Sequence, residues 1–187
     1  MRNQPETAEQ RQSKKTFRTF LRDEKGVTAV EFALVAFPFL AFIFMIIELG
    51  LSFTAQQVLS YATEDISRQF YIGKFTAQNT TPEMVRDRIC SRIKAIPLAD
   101  CTRLSINLDN YASFADVPVK NLITKNGYLG VPARISLGGP STINQINVLY
   151  RWPVFTNILY FTNPAVKPDD RIIPLFATST WQNEPYS

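Results

Sequence analysis

Residues 25–50 read KGVTAVEFALVAFPFLAFIFMIIELG, and this stretch decides the architecture of the chain. Residues 32–47 are sixteen consecutive apolar or proline positions, which rise about 24 Å as a helix. Extended to residues 27–51, the segment can cross a hydrocarbon core of about 30 Å. Glu31 and Glu48 then lie near the headgroups, where a charge costs far less than at the bilayer centre. The stretch therefore predicts a transmembrane helix.

Two other interpretations of this segment compete with a retained membrane helix. A buried helix of a soluble core is one, although surface helices of soluble domains carry a polar face that this run lacks. A secretory signal cut near Gly50-Leu51-Ser52 is the other. The apolar run is slightly too long for a signal, and Glu48 lies awkwardly between the run and that cut. We therefore predict a retained helix.

The charges around the segment predict its orientation. Arg18, Arg22 and Lys25 precede it, and Arg68 is the first basic residue after it. Positive residues stay on the cytoplasmic side, so the N-terminus is expected in the cytoplasm and residues 52–187 across the membrane. No other stretch has this length, which predicts a single-pass protein.

Composition argues against several classes of function. Of the net charge of +4, residues 1–26 carry +3 (seven basic minus four acidic residues), so no basic module for nucleic acid is expected. The chain has no histidine, the commonest general base and metal ligand, and two cysteines are too few for a zinc site. The adjacent Asp169 and Asp170 lie in a predicted turn. We predict no enzyme, metal or cofactor.

Residues 52–73 have the pattern of an amphipathic helix. One apolar stripe recurs at helical spacing, and its members are Ala55, Leu59, Ala62, Ile66 and Phe70. Gly73 is the expected C-terminal stop. The stripe is expected to pack on the chain's own domain in preference to a partner helix.

A second helix is indicated after Thr81-Pro82, an N-cap residue followed by a proline suited to the first turn. Met84, Ile89 and Ile93 would form its apolar side, and Pro97 would end it.

The remaining pattern alternates as strands do. Leu104, Ile106 and Leu108 alternate with polar residues, which predicts a strand with one face in water. Further strands are predicted around residues 148–152 and 175–181, with a turn at Asn126-Gly127. The expected class is α+β: a long N-terminal helix, then a small periplasmic domain at residues 74–187 with a second helix and an antiparallel sheet.

Cys90 and Cys101 fall at the end of the second helix and the start of the first strand. An oxidising compartment would favour a disulfide between them, adding about 3 kcal/mol by restricting the unfolded chain. The alternative is two buried free thiols.

The entrance of the membrane segment carries a more specific pattern. A basic leader ends at Gly26, and Glu31 and Phe32 follow just before the long apolar run. This arrangement resembles the prepilin signal, which a membrane peptidase cuts after the glycine, here between Gly26 and Val27. The Tad/Flp branch usually has tyrosine where this chain has Phe32, which keeps the ring and loses the hydroxyl. The resemblance implies that residues 1–26 are removed. The cut creates an ammonium on Val27, and a buried Glu31 carboxylate, in the same or a neighbouring subunit, needs such a partner. The alternative is that Glu31 only snorkels to the membrane interface.

The whole arrangement resembles the TadE-like family of pseudopilins, with weaker similarity in Tyr150-Arg151-Trp152-Pro153 and in the segment from Asn183 to Tyr186. The resemblance implies a minor or accessory pseudopilin of TadE or TadF type in the bacterial inner membrane. Its implied partners are the prepilin peptidase, other pilin subunits, pilus assembly proteins and membrane lipid. The competing hypothesis is an unprocessed, membrane-anchored periplasmic binding or scaffold module.

Overall fold

The computed structural model describes residues 24–97, 99–118, 123–124, 128–155 and 171–185. Its elements in chain order are helices α1 (Glu24–Tyr71) and α2 (Pro82–Ile93), then strands β1 (Leu104–Tyr111), β2 (Ile143–Pro153) and β3 (Ile172–Gln182). The strands form an antiparallel sheet in the order β1-β2-β3. The predicted α+β class is confirmed.

Three predicted features lie outside the described residues. They are most of the leader at 1–26, the Asn126-Gly127 turn and the Asp169-Asp170 pair. The chain divides into two compact units, residues 1–46 and residues 47–187.

The described part of the first unit is the N-terminal half of α1. Its apolar side chains are exposed, with Phe32 at 73% and Phe37 at 79%. The helix continues through Pro38, which membrane helices tolerate better than helices in water. Exposure of this kind excludes a buried core helix within this chain. The helix is long and apolar enough to fit a single-pass membrane protein.

In the second unit, α1 supplies one wall of the hydrophobic core. All members of the predicted stripe are buried: Ala55, Leu59, Ala62, Ile66 and Phe70. They pack with α2 and the sheet, so the stripe lies on the chain's own domain, as expected. The helix ends at Tyr71, and Gly73 follows with a φ of 70°, a left-handed conformation that glycine adopts without strain.

The predicted start of α2 is confirmed. The Thr81 hydroxyl accepts a hydrogen bond from the Met84 N–H at 3.3 Å, and Pro82 occupies the first turn. Met84 itself does not face the core, because its side chain is 42% exposed. Val85 is buried in its place. Val85, Ile89 and Ile93 lie four residues apart and share one face, from which Met84 is offset by about 100°.

Strand β2 is the centre of the sheet, and each of its first eight residues is buried. Val148, Tyr150 and Trp152 face the helices, as the alternation predicts. A central strand covered on both faces explains why its other face is buried as well.

The prediction of a wet face on β1 is wrong, because Asn107 and Asp109 are buried. The segment that follows β1 covers them. The Asn107 amide donates to the Pro132 carbonyl oxygen at 2.9 Å, and Arg134 Nε donates to Asp109 Oδ1 at 2.5 Å. The same segment pairs with the outer edge of β1 at Leu108.

A hydrogen-bonded row crosses this polar face of the sheet. Asn147 Nδ2 donates to Asn107 Oδ1 at 3.2 Å, and the Thr178 hydroxyl donates to Asn147 Oδ1 at 2.9 Å. These residues are opposite one another in the strand register. The row therefore satisfies buried amides that would otherwise be costly.

Replacing Leu59 with alanine tests the contribution of α1 to the core. Leu59 is 1% exposed, so Leu59→Ala should lower the free energy of unfolding by about 2–5 kcal/mol. Met84→Ala is the matched control on an exposed side chain, with an expected change within about 0.5 kcal/mol. Denaturant unfolding of the detergent-solubilised chain measures both. Equal effects would contradict the core position of the stripe.

Candidate processing site and membrane boundary

The proposed cleavage bond, between Gly26 and Val27, lies in the first turn of α1. Gly26 is partly exposed, and Val27 and Glu31 are exposed. The bond is helical rather than extended, so a peptidase would have to unwind this turn. Glycine lowers helix stability by about 1 kcal/mol relative to alanine, so Gly26 eases this local unwinding.

Val27 and Glu31 are four residues apart on α1. Side chains at this spacing lie on the same face, with about 5–6 Å between Cβ atoms. The carboxylate of Glu31 is thus one helical turn from the nitrogen that cleavage would convert to an ammonium. Phe32 is next to Glu31 and exposed.

Glu48, at the other end of the apolar run, is buried within the second unit and is 4% exposed. Its Oε1 accepts a hydrogen bond from the Phe155 N–H at 2.5 Å. The sequence predicts only that Glu48 lies near the headgroups, and the structure adds this contact with Phe155. Its partner is 107 residues away in sequence, so no local pattern could have indicated the contact.

Apolar packing surrounds this hydrogen bond. Val154 is buried against Leu49 and Ile173, and its N–H donates to the Arg171 carbonyl oxygen at 2.8 Å. Together with Glu48, these contacts join α1 to the end of β2 and the start of β3.

Cys90 and Cys101 form a disulfide in the structure, with their Cα atoms 5.7 Å apart. Beside it, Arg86 donates to the carbonyl oxygens of Cys101 and Leu104, at 2.6 and 3.2 Å. The disulfide and Arg86 thus hold α2 against the start of β1.

Asp100 organises the short connection before β1. Hydrogen bonds from the Thr102 hydroxyl and N–H lower the pKa of the carboxyl, with a smaller contribution from the Arg103 charge, and partial burial opposes the shift. The Asp100 N–H donates to the Tyr150 hydroxyl oxygen at 3.0 Å. Burial raises the pKa of Tyr150, so its hydroxyl is neutral at physiological pH.

The described residues also form a groove of about 600 Å³ between the start of α2 and β1. Its charged groups are Glu83, Arg86 and Arg134, and both arginines are held by hydrogen bonds to the protein. No cluster of metal-ligating side chains occurs within the described residues.

Replacing Glu48 tests its contact with Phe155. Glu48→Ala removes the charged acceptor of the partly buried Phe155 N–H and should cost about 1–3 kcal/mol of unfolding free energy. Glu48→Gln keeps an acceptor oxygen and should cost less. Glu64→Ala, at an exposed position on the same helix, is the control and should have little effect. Denaturant unfolding measures all three variants. An equal loss of unfolding free energy in Glu64→Ala and Glu48→Ala would refute the contact.

Removing the disulfide tests its contribution to stability. The bond closes a loop with a sequence separation of 11, so the double variant Cys90→Ser, Cys101→Ser should unfold with about 3 kcal/mol less free energy. Thermal unfolding with and without reductant measures the effect. Reductant should destabilise the native chain and leave the double variant unchanged. A native chain insensitive to reductant would contradict this role.

Comparison with known proteins adds a family to the N-terminal part of this description. No curated protein and no solved structure matches the chain. The matching family model covers the Gly26–Phe32 pattern and α1 as far as Arg68. It does not include the two segments with weaker similarity, Tyr150–Pro153 at the end of β2 and the segment from Asn183 to Tyr186. This family is a structural pilus family rather than an enzyme family, and the match implies a Tad pilus-related function with contacts to other pilus components. Residues 26–68 match the model of the TadE-like protein family, which confirms the resemblance found in the sequence.

Proposed function

We propose that the chain is a minor or accessory pseudopilin of a Tad/Flp-type type IV pilus system. A prepilin peptidase cuts it after Gly26, and the mature chain acts in pilus biogenesis or adhesion. It resides in the inner membrane with its N-terminus in the cytoplasm and its C-terminal domain in the periplasm, and reaches the exterior if incorporated into a pilus. The TadE-like match over residues 26–68 is the observation that carries this proposal.

The exposed apolar surface of α1 supports the proposal. Side chains such as Val30, Leu34 and Phe37 are exposed in the chain alone. Such a surface is stable in lipid, and in an assembled pilus it would pack against the helices of other subunits. One helix could thereby serve as membrane anchor and as assembly element.

The spacing of Val27 and Glu31 supports the processing step. An unpaired carboxylate inside a helix assembly is strongly unfavourable, and breaking a buried ion pair costs about 3–5 kcal/mol. The ammonium that cleavage creates on Val27 supplies the partner. Processing and assembly are thus linked, because the cut supplies the ammonium that neutralises Glu31.

Replacing Gly26 tests processing directly. In cells with a prepilin peptidase, intact mass and N-terminal sequencing should find a mature chain that begins at Val27. Gly26→Ala should retain residues 1–26. Gly50→Ala is the matched control in the same helix, since a Cβ there meets no atom within 4 Å, and it should be processed normally. A native membrane protein that keeps residues 1–26 would refute the proposal and favour the unprocessed module.

Replacing Glu31 separates cleavage from assembly. Glu31→Ala should be cut normally and should fail to assemble, because the Val27 ammonium then has no carboxylate to pair with. Co-purification with other pilus components measures assembly. Glu64→Ala removes an exposed carboxylate from the same helix and should behave as the native chain. Normal assembly of Glu31→Ala would show that the carboxylate has no such role.

A further inference from the structure

Contacts along α1 show the direction of the sheet within the second unit. The Gln56 amide donates to the Phe176 carbonyl oxygen at 2.9 Å and accepts from the Phe176 N–H at 3.3 Å. About four helical turns later, the rings of Phe70 and Trp181 stack with their centroids 5.9 Å apart. Later residues of α1 therefore contact later residues of β3. The strand runs beside the helix in the same direction.

The start of β3 and the end of β2 consequently lie beside the start of this part of α1. There the Phe155 N–H donates a hydrogen bond to the Glu48 carboxylate, and the Val154 N–H donates one to the Arg171 carbonyl oxygen. Glu48 directly follows Ile47, the last residue of the apolar run. This end of the sheet thus lies beside the last turn of the predicted membrane span, which covers residues 27–51.

The surface at this end is suited to a lipid headgroup layer. Phe155 is 53% exposed although its own N–H is fixed by a buried carboxylate, and Arg171 is exposed beside it. At a membrane surface, exposed phenylalanine rings insert into the boundary between headgroups and acyl chains, and an arginine beside them reaches the phosphates with its charged end. On α1, Phe53 is 68% exposed, five residues beyond Glu48 or about 7.5 Å along the helix axis. That distance falls within a headgroup layer of about 5–8 Å on each side of the hydrocarbon core.

We propose that Phe155, Phe53 and Arg171 form a lipid-binding edge that seats the domain on the bilayer surface. The occupant is the headgroup layer of the membrane that α1 spans. Glu48 fixes the edge by holding the backbone of Phe155 at the end of the span. The proposal rests on the proposed membrane insertion of α1, and it adds a second membrane contact made by the sheet.

Depth-dependent fluorescence quenching tests the proposal on the full chain. Three single variants are reconstituted separately: Phe155→Trp, Phe39→Trp and Phe114→Trp. The phosphatidylcholine of the vesicles carries bromines either near the headgroup end of the acyl chain (shallow) or at its terminus (deep). Trp152 and Trp181 are buried and present in every variant. Their emission is measured in the native chain and subtracted as background. Phe39 lies within the apolar run and reports insertion of α1.

Phe114 is the matched control on the same domain. It is 57% exposed and follows Tyr111, which pairs with Ile143 at the far end of β2. Ten residues separate Ile143 from Pro153, so Tyr111, three residues before Phe114, lies about 33 Å from Pro153 along the strand direction. Phe114→Trp should not be quenched by either lipid.

Each outcome of this experiment decides one point. The proposal expects Phe155→Trp to lose emission most to the shallow bromines and Phe39→Trp most to the deep bromines. Quenching of Phe39→Trp without quenching of Phe155→Trp overturns the lipid-binding edge and leaves the membrane span intact. Equal quenching at Phe114 and Phe155 shows non-specific adsorption and also overturns it. Absence of quenching at Phe39 refutes membrane insertion itself, and the lipid-binding edge with it.

Discussion

The burial of one face of α1 against the sheet is the contact on which the second unit depends. Leu59, Ile66 and Phe70 are inside the core, and the hydrogen bonds between Gln56 and Phe176 set the position of β3 along the helix. The first part of α1 is long and apolar enough for a membrane span and the second part forms a core wall, so the helix has two different surfaces in sequence. The first is apolar all round, and the second is apolar on one stripe only. The change occurs near Glu48, whose side chain is buried.

Buried polar groups determine the pairing of the strands. On the face of the sheet opposite the helices, Asn107, Asn147 and Thr178 are hydrogen-bonded across all three strands. A shift of one residue would turn these side chains toward the apolar core and leave their donors and acceptors without partners. Each unsatisfied buried group costs about 1–3 kcal/mol. The row therefore selects one register among several that hydrophobic alternation alone would allow.

Local patterns predicted most of the fold, and long-range contacts account for the rest. The stripe on α1, the Thr81 cap and the alternation in β2 depend on residues close in sequence, and the structure contains them. The sequence pattern places Met84 on the apolar side of α2, and this is wrong. Composition alone does not distinguish a member of a helical stripe from an apolar residue one position away from it. Asn107 was expected in water, and its cover comes from Pro132, which no strand pattern indicates.

The candidate site divides in the same way. Gly26, Glu31 and Phe32 form a short contiguous motif, so the sequence alone could indicate them, and the family match covers them. The contact of Glu48 with Phe155 spans 107 residues and follows from the folded topology, which the sequence pattern did not contain.

The pairing of α1 with β3 also sets the order in which the domain can fold. Gln56 and Phe176 are 120 residues apart, so the helix cannot acquire this partner until nearly all of the intervening chain has been synthesised. Contacts of such long separation carry a large loop-closure entropy and slow folding. The Cys90–Cys101 loop, with a separation of 11, can close much earlier. During synthesis the part of the α1 stripe that β3 covers consequently stays exposed for a long interval, in which it is a binding surface for chaperones and a site of aggregation.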